Sequence, residues 1–249
     1  MTRRLLAMLI ALVGTAAVVV VGLSTFAPEE DRATIVPPGP VRRVEVDVEV
    51  GRVAVVAGPA DAVTVERTRR YLRGVPVAEE TVADGVLRIH AECPRVITFG
   101  CAVDYRVAVP AGVAVKIRTG RGAVTVADIA GMVEVATTSG SVRLDHTHGP
   151  ARVTTSGGNV DGVDLAAGFL DATTGAGRIR LSLEEPPGRL GLNSGAGDIA
   201  VALPAVAGGY RVDATTKSGN VKVDVEQNPG GNRAITAMSG GGNVRVSNR

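Results

Sequence analysis

The sequence predicts an all-β protein, a β-solenoid of stacked strand–turn–strand units behind an N-terminal transmembrane helix. Three observations predict it. One glycine-centred pattern occurs seven times, apolar residues alternate with period two on both sides of that glycine, and a 23-residue uncharged run follows two arginines.

Composition sets the first bounds. The apolar share is ordinary at 45%, but aromatics are only 2%, Trp is absent and Gly reaches 32 of 249 residues. Small β-branched side chains with frequent Gly suit a narrow, tightly turning stack of strands. The formal charge is +2, and both excess charges are Arg3 and Arg4, which leaves 25 basic against 25 acidic residues in the remainder. A balanced remainder has no general field for nucleic acid or anionic lipid, so that class of partner is disfavoured.

Residues 1–4 form a short basic N-terminus and residues 5–27 the apolar run, long enough to cross a bilayer as a helix. The positive flank stays in the cytoplasm, which places the remainder on the extracytoplasmic side of the cell membrane. The alternative is a cleaved signal peptide, with Thr25-Phe26-Ala27 as the cleavage site. Thr2-Arg3-Arg4-Leu5-Leu6 is a short match to a twin-arginine signal. Every one of these readings exports the domain. Residues 28–40, PEEDRATIVPPGP, then read as a stiff, extended tether.

The repeats align on Gly122, Gly140, Gly158, Gly177, Gly197, Gly219 and Gly242. Two positions later stand Val124, Val142, Val160, Ile179, Ile199, Val221 and Val244. Five positions earlier stand Ile117, Val135, Val153, Ala172, Leu192, Ala214 and Ala237. Three positions before each glycine is always a hydroxyl: Thr119, Thr137, Thr155, Thr174, Ser194, Thr216 and Ser239. Alternation on both sides of a Gly means two strands joined by a tight corner, with the glycine supplying a positive φ. A second glycine nine residues upstream, at Gly131, Gly149, Gly168 and Gly188, marks the opposite corner. Such a unit cannot bury its apolar face alone and must stack on its neighbours. Hairpins in one twisted antiparallel sheet are the alternative, but a seven-deep hydroxyl column favours parallel stacking. The spacings run 18, 18, 19, 20, 22 and 23, so the later connections lengthen.

Residues 41–110 read as an irregular continuation that contains the cysteine pair, and residues 111–249 as the seven-repeat solenoid. VEVDVEVGRVAVV fits the template about Gly51, with Val48 where the hydroxyl belongs. Further strands are expected at Val86–Ile89 and Val103–Val109. The seventh repeat is expected to be the open end, exposing Val244 and Val246 to a protein partner or a second copy.

The T-x-S-G-x-V-x-V repeats, the cysteine pair before VDYRVAVPAG and the N-terminal anchor resemble bacterial putative-adhesin (toast-rack) domains. The resemblance covers about residues 41–249. It implies a single-stranded right-handed β-helix of the cell envelope, in several cases associated with envelope stress, and it carries no catalytic residues over.

Candidates for chemistry are few. Cys93 and Cys101, an even pair on the exported side, read as a disulfide. His146 and His148 form an H-x-H that could hold a metal with Asp145, but they read as a solvated corner. Gly157-Gly158-Asn159-Val160-Asp161 resembles a calcium roll but has Val160 and Gly162 where that motif needs Gly and Asp. Arg67, Arg69, Arg70 and Arg73 surround Tyr71 and read as a solvated basic face. Glu184-Glu185 lies in a Pro-rich corner. A β-helical polysaccharide-active enzyme needs two carboxylates across one bond and aromatics for the sugar. Outside the anchor the chain has only Tyr71, Phe99, Tyr105, Phe169 and Tyr210. The expected function is therefore a non-catalytic, membrane-anchored interaction or structural module without a cofactor. The alternatives are that enzyme, or a surface adhesin secreted after signal cleavage.

Overall fold

The computed structural model describes residues 29–94 and 100–249, and the anchor expected at residues 5–27 lies outside the described residues. No helix among the described residues is long and apolar enough to cross a membrane. The described chain is all-β, a stack of strand repeats.

The first part runs through β1 (Glu29–Ile35), β2 (Arg43–Val50), β3 (Val53–Ala57), β4 (Thr64–Tyr71), β5 (Val77–Ala83), β6 (Val86–Glu92) and β7 (Ala102–Val109). The first five repeats each supply two strands: β8 (Ala114–Arg121) and β9 (Val124–Ala127), β10 (Val133–Ser139) and β11 (Val142–Asp145), β12 (Ala151–Gly157) and β13 (Val160–Leu165), β14 (Phe169–Ala176) and β15 (Ile179–Leu183), β16 (Arg189–Ser194) and β17 (Ile199–Leu203). The sixth repeat is β18 (Arg211–Thr216) with β19 (Val221–Asp224), and the seventh is β20 (Ala234–Ser239) with β21 (Val244–Asn248).

One sheet collects the repeat strands that follow the corner glycines, with β1, β4 and β7 added at one end, in the order β1-β4-β7-β3-β9-β11-β13-β15-β17-β21-β19. The other collects those before it, in the order β18-β20-β16-β14-β12-β10-β8-β2-β6-β5. Repeats pair in parallel and in register, Val133 with Val115 and Ala151, and Val142 with Val124 and Val160. The all-antiparallel hairpin alternative is thereby excluded for the repeats. Inward positions of both sheets form one continuous apolar core, from Val65 and Leu87 near one end to Val246 near the other. Each fully buried Val or Leu contributes about 1.5–3 kcal/mol by leaving water. Gly162, where the pattern calls for an apolar side chain, is compensated locally. The register shifts between Gly162 and Leu165, and Leu165 fills the space that a side chain at 162 would take.

Two arrangements depart from the expected stacking. The seventh repeat does not close the stack: β20 lies between β16 and β18, and β21 lies between β17 and β19. Val244 and Val246 are buried, and the sixth repeat is outermost. The lengthened spacings now have a cause. Five residues (146–150) join β11 to β12, whereas seven (204–210) carry the chain past one vacant level to β18 and nine (225–233) bring it back from β19 to fill that level. At the other end, β2 and β3 likewise sit beneath β6 and β7, although they precede them in sequence. The second departure concerns residues 28–40. Glu29–Ile35 is not tether but edge strand β1, antiparallel to β4. Period-two alternation of Asp31, Ala33 and Ile35 outweighs the prolines that follow.

Candidate interaction surface

The corner glycines and the hydroxyl column are one device. Thr174 Oγ1 donates to the carbonyl oxygen of Gly158 at 2.9 Å, Ser194 Oγ to Gly177 at 2.8 Å, and Thr155 Oγ1 to Gly140 at 3.3 Å. At the far end Ser239 Oγ reaches Gly197 at 2.9 Å and Thr216 Oγ1 reaches Gly242 at 2.8 Å. Those last two bonds follow the spatial order of the repeats and not their order in sequence. Thr119 has Val48 in register below it and donates instead to Thr137 Oγ1 at 2.9 Å. Five of the seven hydroxyls thus satisfy a corner carbonyl of the adjoining repeat. Thr174→Val removes one such donor at constant shape, and is expected to cost about 1–3 kcal/mol by denaturant unfolding. Thr173→Val, on the outer face, should change little.

The glycines themselves serve the expected purpose only in part. Gly140, Gly158 and Gly177 are not among the residues with positive φ, whereas Gly122, Gly197, Gly219 and Gly242 are. What the column shares is close approach. A Cβ at Gly140 would lie well under 3.0 Å from the Gly122 carbonyl oxygen, and one at Gly158 equally close to that of Gly140. The second column is only partly of this kind, since Gly131 and Gly149 are as crowded while Gly168 has open space.

Cys93 and Cys101 are joined by a disulfide, and the Cys93 amide donates to Glu49 on β2. His146 and His148 are exposed about a buried Thr147. His146 lies 3.0 Å from Asp145 and 3.6 Å from Asp164. No group of His, Cys, Asp and Glu among the described residues could hold a metal. Glu184 lies 3.6 Å from Arg249.

The basic cluster is not a free face. Arg67 turns into the end of the stack, where Nη1 donates to both Glu80 oxygens at 3.0 Å and the Tyr105 hydroxyl donates to Glu80 Oε1 at 2.8 Å. Side chains of Arg67 and Glu80 are 13% and 9% exposed. Arg69 pairs with Asp31, and this hydrogen bond holds the Asp31 carboxyl below its usual pKa range. Arg70 pairs with Asp104. This ion-paired layer of β1, β4 and β5 closes what we call the head of the stack. Burial, and then the bond to Glu80, push the Tyr105 phenol far above its usual range. Because the folded pKa is raised, this contribution to stability is complete below the unfolded value of about 10 and is lost as pH rises above it. Stability should therefore fall above about pH 10, and Tyr105→Phe should make the alkaline slope shallower.

A charge column runs along the outer face of the second sheet. Arg88, Glu45, Lys116, Glu134, Arg152 and Asp171 lie in register and alternate in sign through six strands. Arg88 lies 3.4 Å from Glu45 and Lys116 3.3 Å from Glu134. Exposed pairs stabilise by only about 0.2–1 kcal/mol each, but skipping one repeat would bring like charges together, Lys116 against Arg152 and Glu134 against Asp171. The signal is present in the repeats, six residues before Gly122, Gly140, Gly158 and Gly177.

The opposite end, the tail, is open. β18 and β19 each pair on one side only. Val212, Ala214 and Val223 are only partly buried, and Val221 is 43% exposed. This end combines exposed or half-buried apolar side chains with free backbone groups on both sheets.

Comparison with known proteins places this geometry. No curated protein matches the chain. Similar solved structures include a "putative cell adhesion protein" from Clostridium sporogenes ATCC 15579, 11% identical, covering 90% of this chain and 100% of its own with a TM-score of 0.38. A "putative adhesin" from Bacteroides fragilis NCTC 9343 is 12% identical over 89% of this chain and 97% of its own, with a TM-score of 0.42. Another from Parabacteroides distasonis ATCC 8503 is 12% identical over 88% and 97%, with a TM-score of 0.45. The seven repeats carry the family signal: residues 111–248, more than half of the chain, match Toastrack DUF4097, and the chain belongs to that family.

Proposed function

We propose that this chain is a non-catalytic interaction module of the cell envelope, a right-handed β-solenoid held to the membrane by residues 5–27 and displayed on the extracytoplasmic side. In this reading residues 1–4 remain cytoplasmic, residues 41–110 form the head with β1 added at its edge, and residues 111–249 form the seven-repeat body. The observation that carries it is where the polar groups go. The hydroxyl column donates to corner carbonyls, the carboxylates of the outer column alternate with cations, and the buried Glu80 is engaged by Arg67 and Tyr105. That leaves the repeated polar residues occupied in holding the stack together rather than converging on a substrate. Membership of the toast-rack family and likeness to structures named adhesins agree with a surface role.

The test uses the full chain in bacterial cells. Protease added to intact spheroplasts should degrade the domain, and alkaline carbonate should leave the undigested chain in the membrane. A chain beginning at Pro28 would overturn the anchor while leaving export intact. Release of reducing ends from envelope polysaccharide by the purified protein would overturn the non-catalytic reading and favour the β-helical enzyme.

A further inference from the structure

The two ends of the stack differ in kind. The head is finished by antiparallel strands: β4 runs against β7, β5 against β6, and β1 against β4. Its interior is filled by the Arg67–Glu80–Tyr105 cluster, and its edge strand β1 carries Glu29, Glu30, Asp31 and Arg32 in succession. The tail has none of these devices. Along the first sheet, amides donate from repeat to repeat towards the tail: Val160 to Arg178, Ile179 to Asp198, Ile199 to Asn243 and Val244 to Asn220. The series stops at β19, beyond which no strand pairs among the described residues. The inward positions stop there as well, with Val221 43% exposed.

The charges on β19 specify what fits. Lys222 and Asp224 are outward neighbours with Val223 between them, their charged groups 3.1 Å apart. A Lys-x-Asp strand is its own complement in antiparallel pairing. With a two-fold axis at Val223, Lys222 of one strand stands opposite Asp224 of the other, twice. The same axis sets Val221 opposite Val225, covering the exposed inward side chain. An axis perpendicular to the sheets continues both at once, β18 against β18 and β19 against β19, as an isologous contact requires.

We propose that the tail docks on the tail of a second copy, the two stacks joining through antiparallel β19–β19 pairing with Lys222 of each copy against Asp224 of the other. It deepens the interaction-module reading by naming the partner, and a monomeric protein would leave the non-catalytic assignment standing. Each sheet has ten or eleven strands at about 4.8 Å spacing, so one stack is roughly 50 Å long and the pair roughly 100 Å. The described chain enters at Glu29, at the head. Tail-to-tail pairing therefore sets the two N-termini at opposite ends, the geometry of a homophilic contact between facing surfaces.

The test uses the full chain in detergent, with light scattering for mass and negative-stain images for length. A dimer about twice the monomer's length is expected. Lys222→Glu alone, or Asp224→Lys alone, places like charges opposite each other twice and should weaken dimerisation about tenfold or more. The double variant Lys222→Glu/Asp224→Lys should restore it, and an equimolar mixture of the two single variants should form heterodimers. A protein that is monomeric across the accessible concentration range overturns the proposal. So do dimers whose heads meet, as association through residues 5–27 would give, and dimers indifferent to both single reversals.

Discussion

Gly140→Ala is expected to lower stability by about 3 kcal/mol or more, or to prevent folding. The added Cβ would overlap the Gly122 carbonyl oxygen, which is backbone and fixed in the corner between β8 and β9, both of them laddered to the repeat of Gly140. No side chain can rotate to relieve it, so two repeats must separate at the corner and lose core contacts on either side. Gly168→Ala is the matched control. It lies in the second glycine column, has nothing within 4 Å of its Cβ position and shows no positive φ. Such a change should be neutral or slightly stabilising, by up to about 1 kcal/mol through the unfolded chain. Urea unfolding of the two variants decides the matter. Equal midpoints would contradict the assignment of the first column to close approach.

Breaking the head cluster should have the second large effect. Glu80→Ala leaves Arg67 largely buried without its anion, with its Nε already lacking a partner. Removal of one partner from such a pair costs about 3–5 kcal/mol. The pair itself is not a net source of stability, since desolvation offsets its attraction. Arg67→Leu/Glu80→Leu should accordingly recover most of the loss, or exceed the parent protein. Failure of the double variant to recover would mean that the cluster's geometry, and not its charge balance, holds β4 and β5 against the stack.

Much of this architecture was legible because the repeats state it directly. Period-two alternation about Gly140 and Gly158 names the strands and the buried face, and the hydroxyl column implies parallel stacking. The order of the repeats was less legible, because alternation says which face is buried and nothing about which neighbour buries it. Val244 and Val221 occupy identical places in the pattern, yet one is buried and the other is 43% exposed. Only the lengthening of the last two connections hinted at the exchange. Arg67 misled for a related reason. Arg69, Arg70 and Arg73 follow it closely in sequence, while the acids that neutralise the cluster, Asp31, Glu80 and Asp104, come from three other strands. Glu29–Ile35 misled because the prolines at 37, 38 and 40 dominate a local reading, whereas its pairing with β4 is non-local.

Hydrogen exchange resolved to single amides is the most direct test of the placement of the seventh repeat beneath the sixth. The sample must be dilute enough to be monomeric. In that arrangement the Val244 amide is sealed between β17 and β19, donating to Asn220 at 2.9 Å, while β19 has a neighbour on one side only. Amides of Val244 and Val246 should then exchange at least about tenfold more slowly than those of Val221 and Val223, which lie on the edge. The reverse order, with Val221 and Val223 protected and Val244 and Val246 exchanging freely, would place the repeats in their order of sequence and contradict the account.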